Sequence, residues 1–160
     1  MKLHLGCGRT ILPGWTNLDG VALPGVDLVV DLEACVPGRI PLGDDSVECL
    51  LASHLLEHIR APLPLMQELH RIARPGARLE VRVPYGSSDD AWEDPTHVRP
   101  YFADSFGYFG QPYYWRADYG YRGDWDLDLL ELVLPDGPLR TAPVAEIAAA
   151  VRTQRNVVAE

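Results

Sequence analysis

Apolar residues fall in short, nearly unbroken runs along the first half of the chain. Residues 3–5, 15–19, 26–32, 47–52 and 78–83 read as strands, each stopped by glycine, proline or aspartate. Runs of this kind suit a parallel sheet covered on both faces. Between them, residues 62–74 place Leu65, Met66, Leu69, Ile72 and Ala73 at helical spacing. Glu68, His70 and Arg71 fall largely elsewhere on that wheel, and Pro75-Gly76 closes the helix. A shorter helix is expected over 55–60. Alternating strands and helices predict an α/β, doubly wound, mostly parallel sheet in one domain spanning 1–160. The run from Gly8 to Trp15 is too short for the usual crossover of a dozen or more residues. The first connection is therefore expected to be one helical turn or an irregular loop.

The pattern changes after Pro84. Residues 85–123 are rich in Tyr, Trp, Phe, Gly, Pro and Asp and lack periodicity. A long irregular stretch with many aromatics reads as a substrate-binding or lid insertion. Residues 126–134 look like a late strand turned by Pro135-Asp136-Gly137, and 142–153 like a helix. On that helix Val144, Ile147, Ala148 and Val151 share a face, which is expected to cover the chain's own sheet rather than a second subunit. A monomer or a homodimer is the expected state.

Length and composition narrow the class. The chain has 160 residues, 47% of them hydrophobic and 23% charged, the profile of one globular domain. A formal charge of −9 disfavours nucleic acid as partner or substrate. No apolar run approaches a membrane span, and the N-terminus is not read as a signal peptide. Cys7, Cys35 and Cys49 lack metal-ligand spacing and read as reduced thiols of a cytoplasmic protein.

The chemistry sits at the ends of the expected strands. Gly6-Cys7-Gly8 lets the backbone turn tightly against a ligand. Asp19 closes the next strand, where a carboxylate accepts hydrogen bonds from ribose hydroxyls. Asp31-Leu32 closes the third, where a carboxylate and a backbone N–H suit an adenine edge. Ligands of open α/β sheets bind at such carboxyl ends. Ile11 stands where the third glycine of a dinucleotide fingerprint would be, which counts against a nicotinamide enzyme.

These segments resemble the class I S-adenosylmethionine-dependent methyltransferases, in the small type 11-like branch. The matching stretches are Leu3-His4-Leu5-Gly6-Cys7-Gly8, Gly14-Trp15-Thr16-Asn17-Leu18-Asp19, Asp44-Asp45-Ser46-Val47-Glu48, Ser53-His54-Leu55-Leu56-Glu57-His58 and Arg74-Pro75-Gly76. Asp94-Pro95-Thr96-His97-Val98-Arg99-Pro100-Tyr101 and Ser105-Phe106-Gly107-Tyr108-Phe109 recur in that branch as well. The resemblance implies a Rossmann-like fold and S-adenosyl-L-methionine as cofactor. It implies that Leu5, Gly6, Cys7 and Gly8 face the methionine part and ribose, and that Asp19 holds the ribose. Asp31 and Leu32 would meet adenine, and Ser53 and His54 the sulfonium end. The family's later strands form a hairpin, of which 126–134 fits one half.

Two segments carry further readings. His54-Leu55-Leu56-Glu57-His58 has the His-x-x-Glu-His order of inverted zinc peptidases. A peptidase reading leaves the glycine turn and the acidic strand ends unexplained, and His54 is expected in a strand-to-helix turn, so no metal is expected there. In the second segment, His97 is the candidate general base and Asp94 its orienting carboxylate. The other reading makes Asp94 a turn cap and His97 packing. Tyr85, Trp92, Arg99 and Tyr101 are candidate clamps on the substrate. The expected activity is methyl transfer to an O or N nucleophile of a small molecule or peptide. The alternative is an S-adenosylmethionine-binding protein without transferase activity, acting as a partner or regulatory subunit.

Overall fold

The structure is a computed structural model that describes residues 1–33, 38–111 and 119–153. Five strands form one sheet: β1 (Lys2–Leu5), β2 (Thr16–Asp19), β3 (Leu28–Val29), β4 (Val47–Ser53) and β5 (Ala73–Arg82). Their order is β3-β2-β1-β4-β5, and every pair is parallel. The chain winds outward from β1 to one edge, then returns beside β1 and winds to the other. The winding therefore reverses between β1 and β4, where open α/β sheets bind ligands.

Register explains the core. Leu3 and Leu5 pair with Leu50 and Ala52 of β4, and Leu5 with Leu18 of β2. All five are buried on one side of the sheet, since alternate strand residues share a face. The helix α1 (Pro62–Ile72) adds Leu65, Met66, Leu69 and Ile72 to this core. Pro62 sits in its first turn, where a missing N–H leaves no ladder bond unmade. Among the described residues the other α-helices are the single turn α2 (Asp90–Glu93) and α3 (Val144–Thr153), with 3₁₀ turns at Ala103–Phe109 and Pro138–Thr141.

The first crossover is an irregular loop, and Asn17 organises it. Asn17 Nδ2 donates to the carbonyls of Leu12 and Trp15, and its Oδ1 accepts from the Leu12 N–H at 2.9 Å. Its own N–H donates to Asp27 at 2.7 Å, tying the second connection to the same point. One buried amide thus stands in for a crossover helix by satisfying the loop backbone.

Several expectations are corrected. β3 is two residues long rather than seven, because only Leu18 and Asp19 offer it partners. The expected helix over 55–60 is a 3₁₀ turn at Leu56–His58. Residues 126–134 form no strand; Leu127, Leu129, Leu130 and Val133 are exposed beside the outer edge of β5. A cavity of about 730 Å³ separates that segment from β5, so no ladder joins them. Among the described side chains of α3 only Ala150 is buried, with Val151, Tyr85, Leu132 and Leu134 around it, while Val144 is exposed. Cys7 is buried, Cys49 half-buried, and both are free thiols; Cys35 lies outside the described residues.

Glu68 departs most from the pattern. It is fully buried, although its position on α1 reads as polar. Its carboxylate accepts from the N–H groups of Gly38 and Ile40 and from Nε and Nη2 of Arg71, all within 2.9 Å. Arg71 also donates to the carbonyls of Leu42 and Ile40 and to Asp44. This knot fastens α1 to the connection leading into β4.

Candidate active site

The rim at the carboxyl ends of the strands is set by register. Leu5, Leu18 and Ala52 lie level with one another, so Gly6, Asp19 and Ser53 follow at one height. Gly6 and Gly8 both have positive φ (60° and 53°), a conformation costly for residues with a side chain. A Cβ on Gly6 would lie 2.9 Å from Leu55 Cδ1, whereas one on Gly8 would meet open space. Gly8 therefore borders open space at this rim. Asp19 Oδ2 accepts the Gly8 N–H at 2.8 Å, and its Oδ1 accepts the Val21 N–H at 2.9 Å. The strand-end carboxylate is thus also the brace of the glycine turn.

Across the β1–β4 crevice, His54 follows β4 directly with φ 50°. The left-handed backbone turns the chain sharply into the Leu56–His58 turn. Over this turn lies the segment 94–101, about forty residues away in sequence. The Val98 N–H donates to the Glu57 carbonyl at 2.8 Å. Arg99 Nη2 donates to the Arg60 carbonyl at 2.8 Å, and Tyr101 Oη to the Leu56 carbonyl at 3.3 Å. Thr96 Oγ1 lies 3.0 Å from His58 Nδ1, and the His58 and His97 rings meet edge to face at 4.7 Å.

The methyltransferase domain family matches residues 3–81, from β1 to the end of β5. The match makes the chain similar to that family over just under half of its length. A crystal structure of a SAM-dependent methyltransferase from Archaeoglobus fulgidus shares its fold at a TM-score of 0.51, with 18% identity over 67% of this chain and 57% of that one. A chain of the complex containing the Haloferax volcanii Trm112 methyltransferase activator aligns at a TM-score of 0.48 and 17% identity, over 66% of this chain and 56% of that one. The chain thus spans under two thirds of either structure. No curated protein matches it.

Most of the residues expected around a cofactor stand at this rim. Gly6, Cys7 and Gly8 follow β1, Asp19 ends β2, and Ser53 and His54 follow one another at the end of β4. Asp31 lies two residues beyond β3, exposed, with Oδ1 accepting the Glu33 N–H at 3.0 Å. Leu5 and Leu32 are buried, Leu5 completely. Burial, with Asp19 and Asp27 nearby, pushes the Cys7 thiol up, so it stays protonated near neutral pH.

The acceptor-side candidates divide. His97 Nδ1 faces the Ala91 carbonyl at 3.4 Å, while its Nε2 is 3.9 Å from Asp94 Oδ2, beyond hydrogen-bond reach. Asp94 instead accepts from the hydroxyl and N–H of Thr96, which hold its carboxyl below the usual range. Asp94 is therefore a turn brace as well as a neighbour of His97. Trp92 is exposed, with Nε1 donating to the Gly86 carbonyl at 2.9 Å. Tyr85 bridges to Tyr101 and packs edge-on against Phe102. Tyr101 is buried and stacked on Phe106, and burial raises its phenol to about 12.

Sequence reasoning missed Asn17 and Glu57. Asn17 lies inside a matching stretch, but only the loop closing on it reveals its work. Glu57 reads as a polar member of a short helix and is instead buried, with neither carboxylate oxygen hydrogen-bonded.

Proposed function

We propose that the protein binds S-adenosyl-L-methionine at the β1–β4 crevice and transfers its methyl group to an O or N nucleophile of a small molecule or peptide. The observation that carries this is the shared height of the Gly6–Gly8 turn, Asp19 and Ser53, with 94–101 docked above. Gly6, Cys7 and Gly8 would pass along the methionine part and ribose. Asp19 would accept the ribose hydroxyls with its remaining lone pairs, Asp31 and Leu32 would meet adenine, and Ser53 and His54 the sulfonium end. The cavity beside β5 has neither a glycine turn nor Asp19 in its wall, so it is not assigned to the cofactor.

Methyl transfer from a sulfonium is an in-line displacement, which needs alignment and exclusion of water. Residues 85–111 and 119–123 supply the cover in this reading, the rest of the expected lid (112–118) lying outside the described residues. Trp92 and Arg99 are the clamps best placed to reach an acceptor; Tyr85 and Tyr101 support them from within the packing. Ala91 accepts a hydrogen bond only at Nδ1–H of His97, so Nε2 keeps its lone pair and takes the acceptor's proton. Asp94 supplies negative charge nearby.

Calorimetry with S-adenosylhomocysteine tests binding, and turnover on an acceptor panel tests chemistry. Absence of binding overturns the reading. Asp19→Ala is expected to weaken cofactor binding by about 1–3 kcal/mol, since it removes a ribose acceptor and leaves two N–H groups unpaired; unchanged affinity sinks the ribose assignment. Gly8→Val places a branched side chain at φ 53° in the space the ligand needs. Cofactor affinity should fall more than about tenfold, as about 1–2 kcal/mol of backbone strain adds to the steric block. Normal affinity would refute close backbone approach at Gly8.

A further inference from the structure

The turn after β4 and the docked segment 94–101 together build a cluster of potential metal ligands, of which the proposed methyl transfer uses only His97. One donor atom each from Glu57, His58 and His97 lies within 4.8 Å of the other two. Glu57 is 2% exposed, and both its carboxylate oxygens lack a hydrogen bond. His54 Nδ1 is 3.4 Å from Oε1, an ion-pair distance, but half of that histidine side chain is in solvent. A buried carboxylate left this way costs free energy unless a cation or donor reaches it.

Hydrogen bonds set the tautomer of both rings. Thr96 Oγ1 donates its proton to Asp94 Oδ1, so toward His58 it can only accept. His58 Nδ1 must therefore carry the hydrogen. The Ala91 carbonyl likewise accepts from His97 Nδ1. Both imidazoles thus spend Nδ1–H on an outer acceptor and keep the Nε2 lone pair, the arrangement that metal-bound histidines adopt.

We propose that Glu57, His58 and His97 form a binding site for a divalent first-row transition-metal ion of the zinc class. Two imidazoles and one carboxylate favour such an ion over magnesium or calcium, which prefer all-oxygen sets. Ligand atoms around a tetrahedral zinc ion sit roughly 3.3 Å apart. The three donors therefore need to close by no more than roughly 1.5 Å, within the reach of side-chain rotation. Three protein ligands leave at least one coordination position open. The site is not the inverted peptidase pair, because His54 lies outside the cluster and His97 comes from a distant segment. Ion binding and proton abstraction use the same nitrogen of His97, so they exclude each other. The inference does not depend on cofactor binding.

The test is calorimetric titration of the chelator-treated full chain with zinc, and an optical spectrum with cobalt(II). One zinc ion per chain is expected, with visible cobalt bands of low coordination number and a melting temperature raised by zinc. His58→Ala, His97→Ala and Glu57→Gln should each weaken binding at least tenfold, with folding checked by circular dichroism. Thr96→Val keeps all three ligands and its site is exposed, so it serves if a ligand variant fails to fold. Removing its hold on His58 should weaken zinc roughly tenfold. Cys49→Ser should change nothing. No stoichiometric binding overturns the proposal, as does zinc binding that survives both histidine variants or that Cys49→Ser abolishes. S-adenosylhomocysteine titrated in parallel reads the cofactor site separately.

Discussion

Glu68→Ala is expected to lower the unfolding free energy by about 3–5 kcal/mol, the usual cost of stripping one partner from a buried ion pair. The carboxylate is fully buried and accepts four hydrogen bonds from three residues. Removing it leaves the N–H groups of Gly38 and Ile40 and Nε of Arg71 without acceptors, while Nη2 keeps the Ile40 carbonyl. In a domain of this size such a loss lowers the melting temperature by roughly 6–20 °C. Burial alone would push the Glu68 carboxyl up, but the bonds from Arg71, Gly38 and Ile40 outweigh it and hold the group below the ordinary glutamate range. A depressed folded-state value means stability that is full above the unfolded range and is lost as pH falls through the folded value. The gap between wild type and Glu68→Ala should therefore narrow in acid. A gap that stays constant down to the acid transition would show that the charge contributes nothing. By contrast, Glu80→Ala should change stability by less than about 0.5 kcal/mol. It removes an Arg82 pair whose two side chains are both more than half exposed, and solvent screens such pairs. Thermal melts of the three proteins across pH decide the matter.

His97→Ala is expected to lower turnover by roughly 10²–10⁴-fold, the range for loss of a positioned proton acceptor. Affinity for S-adenosylhomocysteine should stay within about twofold, because His97 lies on the docked segment and not on the glycine-turn rim. The ring is nearly enclosed, with a side-chain exposure of 9%, and rests edge-on against His58. A packing role would therefore be visible as a lowered melting temperature with turnover largely kept. Turnover, cofactor affinity and melting temperature measured on one preparation separate the roles. Partial rescue by added imidazole would mark a proton-transfer role, since the small base restores the lost nitrogen without restoring the packing.

Much of the sheet is legible in the chain because burial on both faces leaves continuous apolar runs. Residues 3–5 and 47–52 lie within strands at nearly the expected limits. β5, however, begins five residues early at Ala73 and ends at Arg82. The helix expected over 62–74 therefore stops at Ile72, and Pro75-Gly76 lies within the strand rather than closing the helix. The run 26–32 misleads for the same reason that 3–5 and 47–52 succeed. Val30 and Leu32 are buried in the core, yet only Leu28–Val29 finds a ladder partner. Apolar content records burial and says nothing of who donates the hydrogen bonds. Residues 126–134 fail likewise: strand-like composition could not reveal that a cavity lies between them and β5.

The glycine turn, Asp19 and the Ser53-His54 step were readable by themselves, because each is a local demand. A tight turn needs residues that tolerate positive φ, and a strand end needs a polar stop. Register then brings them to one height. The rest depended on packing between distant segments. Glu68 reads as solvent-facing until Gly38, Ile40 and Arg71 close around it. Asn17 reads as an ordinary strand residue until an irregular crossover folds onto its amide. Glu57, His58 and His97 become neighbours only when 94–101 docks on the turn after β4. The chain itself determined where strands stop and what chemistry stands at their ends, since those features act over a few residues. Only the tertiary structure decided which polar groups are buried and with whom, because that depends on how loops and segments close on one another, over ten residues or fewer at Asn17 and about thirty to forty at Glu68 and His58.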